Sequence, residues 1–414
     1  MSRALYTLAL FLLAPLVLAR LWWRGIREPG YRRHLGERFG YYRENRGARP
    51  LLWVHAVSVG EARASAALVK GLAAGYPGHD LLLTCMTAAG RETLRKLHGD
   101  SAIIAWLPYD DPGSVRRFLE HFRPLCGLLV ETEIWPNLLA ACRRSGVPVV
   151  LANARMSEKS ARAYGRLPGL ARPAIASLSL ACAQTEGDAA RLRALGARRV
   201  EVTGNLKFDI APDAAQQAAG RAWRARLARP VLLLASTREG EEKLLLKALP
   251  AWDETLLVLV VPRHARRFDE VAAFSQSRRS RSPDPAPEDR VHLGDSMGEM
   301  DFYYAAADVA VIGGSFVPRG GQNLIEACAA GAPVVFGPSM FNFSEAARLA
   351  LAAGAARQAG GSAAAMQEAC ALIADARARA AMGEAGRNLC EAHRGAVRRH
   401  LDLCSGLLRA PARG

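Results

Sequence analysis

Residues 309–338 read VAVIGGSFVPRGGQNLIEACAAGAPVVFGP. An apolar, β-type run from Val309 to Ile312 meets the pair Gly313-Gly314, a second pair, Gly320-Gly321, follows, and a helical run opens at about Gln322. Strand, glycine loop and helix in that order build an anion site. Glycine lets the backbone take positive φ and approach a ligand closely, and the first N–H groups of a helix lack internal partners at the positive end of its dipole. A phosphate is the natural occupant. The competing reading is that the glycines only turn the chain between packed elements. Asn323 and Glu326, one helical turn apart on one face, weigh toward a ligand. Pro333 to Phe336 reads as a second strand, which makes the unit a βαβ crossover with its loop at the carboxyl ends of a parallel sheet, where such folds bind ligands.

The same alternation extends in both directions. Short β-rich runs at 51–56, 81–85, 125–130, 147–151, 179–183 and 200–202 alternate with amphipathic runs such as 62–74 and 138–145. After a polar, Ala-rich stretch over about 208–229 that reads as a linker, the pattern restarts at 231–235, 256–261, 291–293, 309–312 and 334–336. It predicts an α/β protein of two Rossmann-like, doubly wound domains with a cleft between them. Residues 275–289 have no periodicity and read as a mobile loop. The segments divide as 1–25, 26–212 and 213–414.

The first of these, ALYTLALFLLAPLVLARLWW over residues 4–23, is apolar except for Arg20 near its end. As a helix it would be about 30 Å long, enough to cross a bilayer, with Pro15 kinking but not forbidding the span. Arg24, Arg27, Arg32, Arg33 and Arg38 follow at once, against Arg3 alone before it, so the positive-inside rule predicts a single-pass anchor with the rest of the chain in the cytoplasm. The alternative is a cleaved signal peptide ending near Val17-Leu18-Ala19, which the dense arginines after it would hinder from export. Lys plus Arg total 55 against 39 Asp plus Glu, a net charge of +16 that calls for an acidic partner: nucleic acid, an anionic membrane or an anionic substrate. The 8 cysteines form no C-x-x-C pair and no zinc-type Cys/His cluster, which fits reduced structural thiols.

Several residues could carry chemistry. In HAVSVGE (55–61), where the first strand turns into a helix, Ser58 and Glu61 have capping-box spacing; Glu61 either satisfies its own helix or faces the cleft as a general base. VETEIWPN (130–137) ends a strand with Glu131 and Glu133, which either line the ligand crevice, stay in a solvated loop or cap the helix that follows. Lys207 in TGNLK could neutralise a leaving phosphate or be an ordinary surface lysine. Pro262-Arg263 follows a strand directly, and the planar guanidinium suits a phosphate or carboxylate. Gly298, Glu299 and Met300 lie in a loop able to offer backbone contacts to a base, and Glu326 could accept from ribose hydroxyls or simply favour a helix N-terminus. Asp110-Asp111 before Pro112 reads as a turn. No carboxylate pair stands beside the glycine loop, which favours a reaction without a metal or other cofactor.

Taken together, HAVSVGE, ETEIWPN, TGNLKFD, ASTREGEE, VPRH, GDSMGEMDFYYAAADVAVIGGSF and GGQNLIEACAAGAPVVFGPSMFNF, in this order behind an apolar N-terminal segment, resemble the 3-deoxy-D-manno-octulosonic acid (Kdo) transferases over nearly the whole chain. The resemblance implies a GT-B fold: an anchor (1–25), an acceptor-side domain (26–212) and a nucleotide-sugar domain (213–414). It implies an inverting, metal-independent transfer of Kdo from CMP-Kdo to a lipid A precursor (lipid IVA) at the cytoplasmic face of an anionic inner membrane. By motif, Glu61 looks like the catalytic base, and Glu131 and Lys207 like transition-state stabilisers. Pro262, Arg263, Gly298, Glu299, Met300, Asn323, Leu324, Ile325 and Glu326 look like the CMP site. Gln322 and Arg238 depart from the family, in which many members have His at those places. The number of Kdo residues added and the oligomeric state stay open. The alternatives are another GT-B enzyme using a UDP-sugar and a lipid acceptor, and a non-catalytic basic membrane-surface protein. A nucleic-acid-binding role is disfavoured, because the arginines are dispersed rather than interleaved with aromatics.

Overall fold

Strands that are apolar at every position, rather than at alternate ones, belong to parallel sheets covered on both faces. LLWVH at 51–55 and VLLLAST at 231–237 are buried throughout, and each lies near the centre of its own sheet. The computed structural model describes residues 2–43, 47, 49–210, 212–250 and 255–408. Its first sheet is built from β1 (Leu51–His55), β2 (Asp80–Cys85), β3 (Ile103–Trp106), β4 (Cys126–Val130), β5 (Val149–Ala154), β6 (Leu180–Ala183) and β7 (Val200–Val202), in the order β3-β2-β1-β4-β5-β6-β7. The second contains β8 (Val231–Thr237), β9 (Leu257–Pro262), β10 (Ser277–Arg278), β11 (Val291–Leu293), β12 (Val309–Ile312), β13 (Val334–Phe336) and β14 (Ala356–Gln358), in the order β10-β11-β9-β8-β12-β13-β14. Every pairing is parallel, as in Leu52↔Cys126 between β1 and β4 and Val309↔Leu232 between β12 and β8.

Both sheets grow outward from a first strand and then reverse. The reversal falls between β1 and β4 in the first and between β8 and β12 in the second. Crevices at the carboxyl ends of such switch points are where doubly wound folds hold ligands. The glycine loop after β12 and the motifs after β1 and β4 therefore sit at the two places where topology alone opens a site.

The sequence reading misses β3, β10 and β14, and two segments differ from it. The expected linker at 208–229 contains a helix, Ala214–Leu227, capped by the Asp213 carboxylate, which accepts from the N–H groups of Ala215 (2.9 Å) and Gln216 (3.1 Å). Its few apolar residues hid it, yet Trp223 is buried and donates from Nε1 to the Pro283 carbonyl at 3.1 Å. Residues 275–289, expected to be mobile, are tied down: Ser277–Arg278 pairs with β11, and Arg278 and Ser280 both bond the Asp295 carboxylate.

The chain divides into one unit that runs to Leu206 and resumes at Gly395, and a second from Lys207 to Arg394. The C-terminal helix, Ala396–Leu408, thus returns to the first unit, where the sequence reading left it with the second. His400 holds it there. Its buried Nε2 accepts from the Asn153 N–H at 2.9 Å, while Nδ1 faces the Ala396 carbonyl at 2.7 Å, a pairing that puts the proton on Nδ1. Asn153, at φ 51°, continues the network: Oδ1 accepts from Leu206 N–H and its carbonyl from Gln184 Nε2, each at 2.9 Å. His400→Ala would strand a buried N–H. It should cost about 1–3 kcal/mol, seen as a lower urea midpoint at unchanged slope; an unshifted midpoint would show the network to be idle.

Candidate active site

In the first unit the site is assembled at the carboxyl edge of β1 and β4. The short helix Val59–Ala64 starts just beyond β1, and Glu61 in its first turn folds back: Oε2 accepts from the Val57 N–H at 2.6 Å and Oε1 from the Ser58 hydroxyl at 3.1 Å. This departs from a capping box, because the carboxylate takes the N–H of Val57, one residue before the N-cap, rather than that of Ser58. Ser58 donates to the carboxylate instead of accepting from a helix amide, so Glu61 is held by its neighbours and remains half-buried. Beyond β4, Glu131 sits at φ 67°, a conformation that costs a non-glycine residue energy and recurs at functional sites. Glu133 accepts from Trp135 Nε1 at 2.7 Å. Burial, then the negative charge of Glu61, and more weakly that of Glu131, push the Glu133 carboxyl up to about 8 against the relief from Trp135, so it is largely neutral at pH 7.

Behind Glu133 lies a buried polar chain. Trp53 Nε1 donates to Thr84 Oγ1 at 2.7 Å, and Thr84 Oγ1 meets His55 Nδ1 at 2.9 Å. His55 Nε2 points toward Glu133 Oε2, 4.0 Å away. Burial holds the imidazole down at about 3, so it stays neutral at physiological pH. Three carboxyl groups and a neutral imidazole at one strand edge are arranged for proton handling.

In the second unit the glycine loop already holds a carboxyl group that the chain itself supplies, one that burial raises above its ordinary value against the relief of three backbone N–H bonds. Glu241, fully buried at the start of the helix Glu241–Lys247, accepts from the N–H groups of Gly314 (2.6 Å), Arg238 (2.8 Å) and Phe316 (3.0 Å). Two amides of the loop expected to hold a phosphate, those of Gly314 and Phe316, are thereby taken. Gly313 is required for close approach: a Cβ there would lie 2.6 Å from the Ser236 carbonyl oxygen. Gly314, Gly320 and Gly321 have φ values of 68°, 81° and 74°.

A pocket of about 460 Å³ opens beside this loop at the ends of β8 and β9, lined by Ser236, Pro262, Arg263, Gly298, Met300 and Glu326 among others. Ser236 lies in a bulge of β8 at φ 55°. Burial raises the Glu326 carboxyl, which accepts from Asn323 Nδ2 at 2.9 Å. Arg238 lies 2.7 Å from His264 Nε2 through its guanidinium. Desolvation and then Arg238, Arg263 and Arg266 lower the His264 imidazole, the mark of a local excess of positive charge suited to an anionic ligand.

The sequence compares as follows with known proteins. A family model described as 3-deoxy-D-manno-octulosonic-acid transferase (kdotransferase) matches residues 33–210. A 3-deoxy-D-manno-octulosonic acid transferase of Bordetella pertussis is 49% identical over 97% of this chain and 98% of its own length. The chain belongs to the Kdo transferase family. One from Haemophilus influenzae is 35% identical over the same 97% and 98%. The crystal structure of Acinetobacter baumannii MurG covers 86% of this chain and 99% of its own at a TM-score of 0.56 and 14% identity, a likeness of fold. This Kdo transferase is therefore a glycosyltransferase of GT-B fold, with two Rossmann-like units and an apolar N-terminal helix.

Within the Kdo transferase, Glu61 and Glu131 share an edge of the first unit, whereas Lys207 begins the second, in the short 3-10 turn Leu206–Phe208. Pro262, Arg263, Gly298, Met300 and Glu326 line one pocket. Glu299 instead turns its carboxylate to Arg279 (3.1 and 3.3 Å). The helix expected at about Gln322 opens at Ile325. Leu324 and Ile325 bury their side chains in the core, and the Ile325 N–H is taken by Asn323 Oδ1 at 3.1 Å. Asp110, read as half of a turn, is buried and caps the helix Pro136–Arg144 by accepting from Asn137 N–H (3.0 Å) and Leu138 N–H (2.7 Å). The sequence motifs do not point to His55, Glu241 or Ser236, which the fold brings to the two sites. An acid at a strand-to-helix junction was a visible signal for Glu241; nothing in the residues announces the bulge at Ser236.

Proposed function

We propose that this Kdo transferase moves Kdo from CMP-Kdo to a hydroxyl of a lipid A precursor at the cytoplasmic face of an anionic membrane, with its N-terminal helix as the membrane anchor. The observation that carries the reading is the carboxylate cluster at the switch point of the first sheet. One member, Glu133, keeps its own proton at pH 7 and so cannot be the base, which leaves Glu61 beside it to accept a proton from an attacking hydroxyl. In the proposed step Glu61 takes the proton of the acceptor hydroxyl as that oxygen forms its bond to the anomeric carbon of Kdo, on the face opposite CMP. The bond from that carbon to the phosphate oxygen breaks, CMP leaves with the electron pair, and the configuration inverts. Glu131 supports the charge that develops on the sugar, and Lys207 and Arg263 support the charge on the departing phosphate. The net charge of +16 suits a donor with a phosphate and a sugar carboxylate and an acceptor with phosphates of its own.

Mass spectrometry of the product tests the proposal. CMP-Kdo and a tetraacylated lipid A precursor should give the acceptor carrying added Kdo, with CMP released in equal amount and with the rate unchanged by a chelator. Transfer from a UDP-sugar in place of CMP-Kdo would overturn the donor assignment. A rate abolished by chelation and restored by a divalent ion would overturn the metal-independent step.

A further inference from the structure

The helix Arg3–Arg27 has two different sides. Leu5, Leu8, Leu12, Leu16 and Trp23, at spacings that keep them on one face, are 54–71% exposed. On the opposite face Tyr6, Thr7, Leu10 and Ala14 are partly covered, and Leu21 and Gly25 are buried. The covered side is tied to the first unit at both ends. Near its start, Asn137 Nδ2 donates to Thr7 Oγ1 at 3.0 Å; Asn137 lies in the first turn of the helix that follows the VETEIWP segment. At its end, Arg24 stacks on Tyr31 at 4.4 Å and donates to its hydroxyl at 2.8 Å, while Arg32 stacks on Trp22 at 4.1 Å and donates to its carbonyl at 3.0 Å. Tyr31 in turn stacks on Trp106. Six residues after Tyr31, Glu37 locks the segment to the sheet through a two-pronged ion pair with Arg91 (2.7 and 3.1 Å) and by accepting from the Trp106 N–H (2.7 Å).

A helix bound to one folded body at both ends cannot send its first residues through a bilayer while its last residues stay at the near surface. We propose that the N-terminal helix lies in the plane of the membrane, its exposed apolar face sunk into a single leaflet, so that the chain sits on one side of the membrane and does not span it. This rests on the reading of that helix as a membrane anchor and changes only its orientation. A lipid leaflet fits the face better than a second copy of the chain. The exposed apolar surface is broad, since Phe11, Leu13, Leu18, Trp22 and Ile26 widen it on both sides of the stripe, and a facing helix would cover only part of it. A two-fold contact would also bring Arg20, Arg24 and Arg32 against their own kind, whereas anionic headgroups would pair with them. The placement has a consequence for the acceptor. Thr7 contacts the residue four positions after Glu133, so the leaflet would lie beside the carboxylate edge, where a lipid-borne sugar hydroxyl could reach it without leaving the membrane.

The test uses the full-length chain with Ser2→Cys in a Cys370→Ser background, since the other seven native cysteines are buried. A membrane-impermeant maleimide is applied to bacterial inner-membrane vesicles of each orientation. The expected result is labelling of Cys at position 2 in inside-out vesicles, on the same side as the folded units, and protection in right-side-out ones. Labelling only in right-side-out vesicles would overturn the in-plane orientation and leave the anchor intact. A full-length chain that fails to float with phosphatidylglycerol-containing vesicles would overturn the anchor itself, and the orientation with it.

Discussion

Glu61→Ala is expected to lower kcat for Kdo transfer by about a hundred- to ten-thousandfold, the usual contribution of a positioned general base, while CMP binding by calorimetry stays unchanged. The geometry makes the choice of variant important. Because Glu61 accepts from the Val57 N–H and the Ser58 hydroxyl, alanine removes a local cap along with the base, at about 1 kcal/mol. Glu61→Gln separates the two roles. The amide oxygen can still accept from the Val57 N–H, so the fold should keep its melting temperature, but the amide cannot take a proton and turnover should fall as far as in the alanine variant. If Glu61→Gln retained near-native turnover and only Glu61→Ala lost it through instability, Glu61 would be a cap alone. Intact CMP binding is the control that matters, because the pocket proposed to hold the donor is lined wholly from the second unit.

Much of this arrangement could be read from residues alone, for a definite physical reason. Central parallel strands are apolar at every position, so β1, β2, β4, β8, β9 and β12 stand out of the sequence; the edge strand Ala356–Gln358 and the two-residue Ser277–Arg278 have no such signature. Switch-point topology then carries the motifs to the site without further information. What could not be read is the satisfaction of particular polar groups. The glycine loop was expected to wait for a phosphate, yet Glu241, distant by more than seventy positions, fills two of its amides. Likewise VETEIW displays two carboxylates, but only packing shows that Glu133 is the one whose burial beside Glu61 keeps its proton. Periodicity reports which face is buried; it cannot report which donor meets which acceptor across the fold.

Glu133→Gln should make the protein more stable at pH 8 than its parent and leave the two alike at pH 4. The sign follows from proton counting. In the unfolded chain a glutamate ionises near pH 4.3, whereas in the fold burial, Glu61 and Glu131 hold Glu133 up to about 8. Below both values each state carries the proton and pH has no effect. Between them the folded chain keeps a proton that the unfolded chain has released, so stability falls as pH rises, by at most about 1.4 kcal/mol per pH unit, and the loss levels off above pH 8. Glutamine resembles the neutral acid in size, can accept from Trp135 Nε1 at the same place, and has no proton to lose. The neutral His55 ring behind it is held at about 3 by burial while the unfolded imidazole titrates near pH 6.5, so it adds its own pH dependence to parent and variant alike, and the difference between the two belongs to the carboxyl group. Urea midpoints of parent and variant at intervals from pH 4 to pH 9 measure the difference. A gap that opens between pH 5 and pH 8 is expected, and one that is constant with pH would show that Glu133 ionises normally in the folded protein. The same substitution acts on Glu61: it removes the charge that Glu133 would acquire above pH 8, so the alkaline limb of the pH–rate profile should move to higher pH in the variant if the two carboxyl groups are coupled in catalysis.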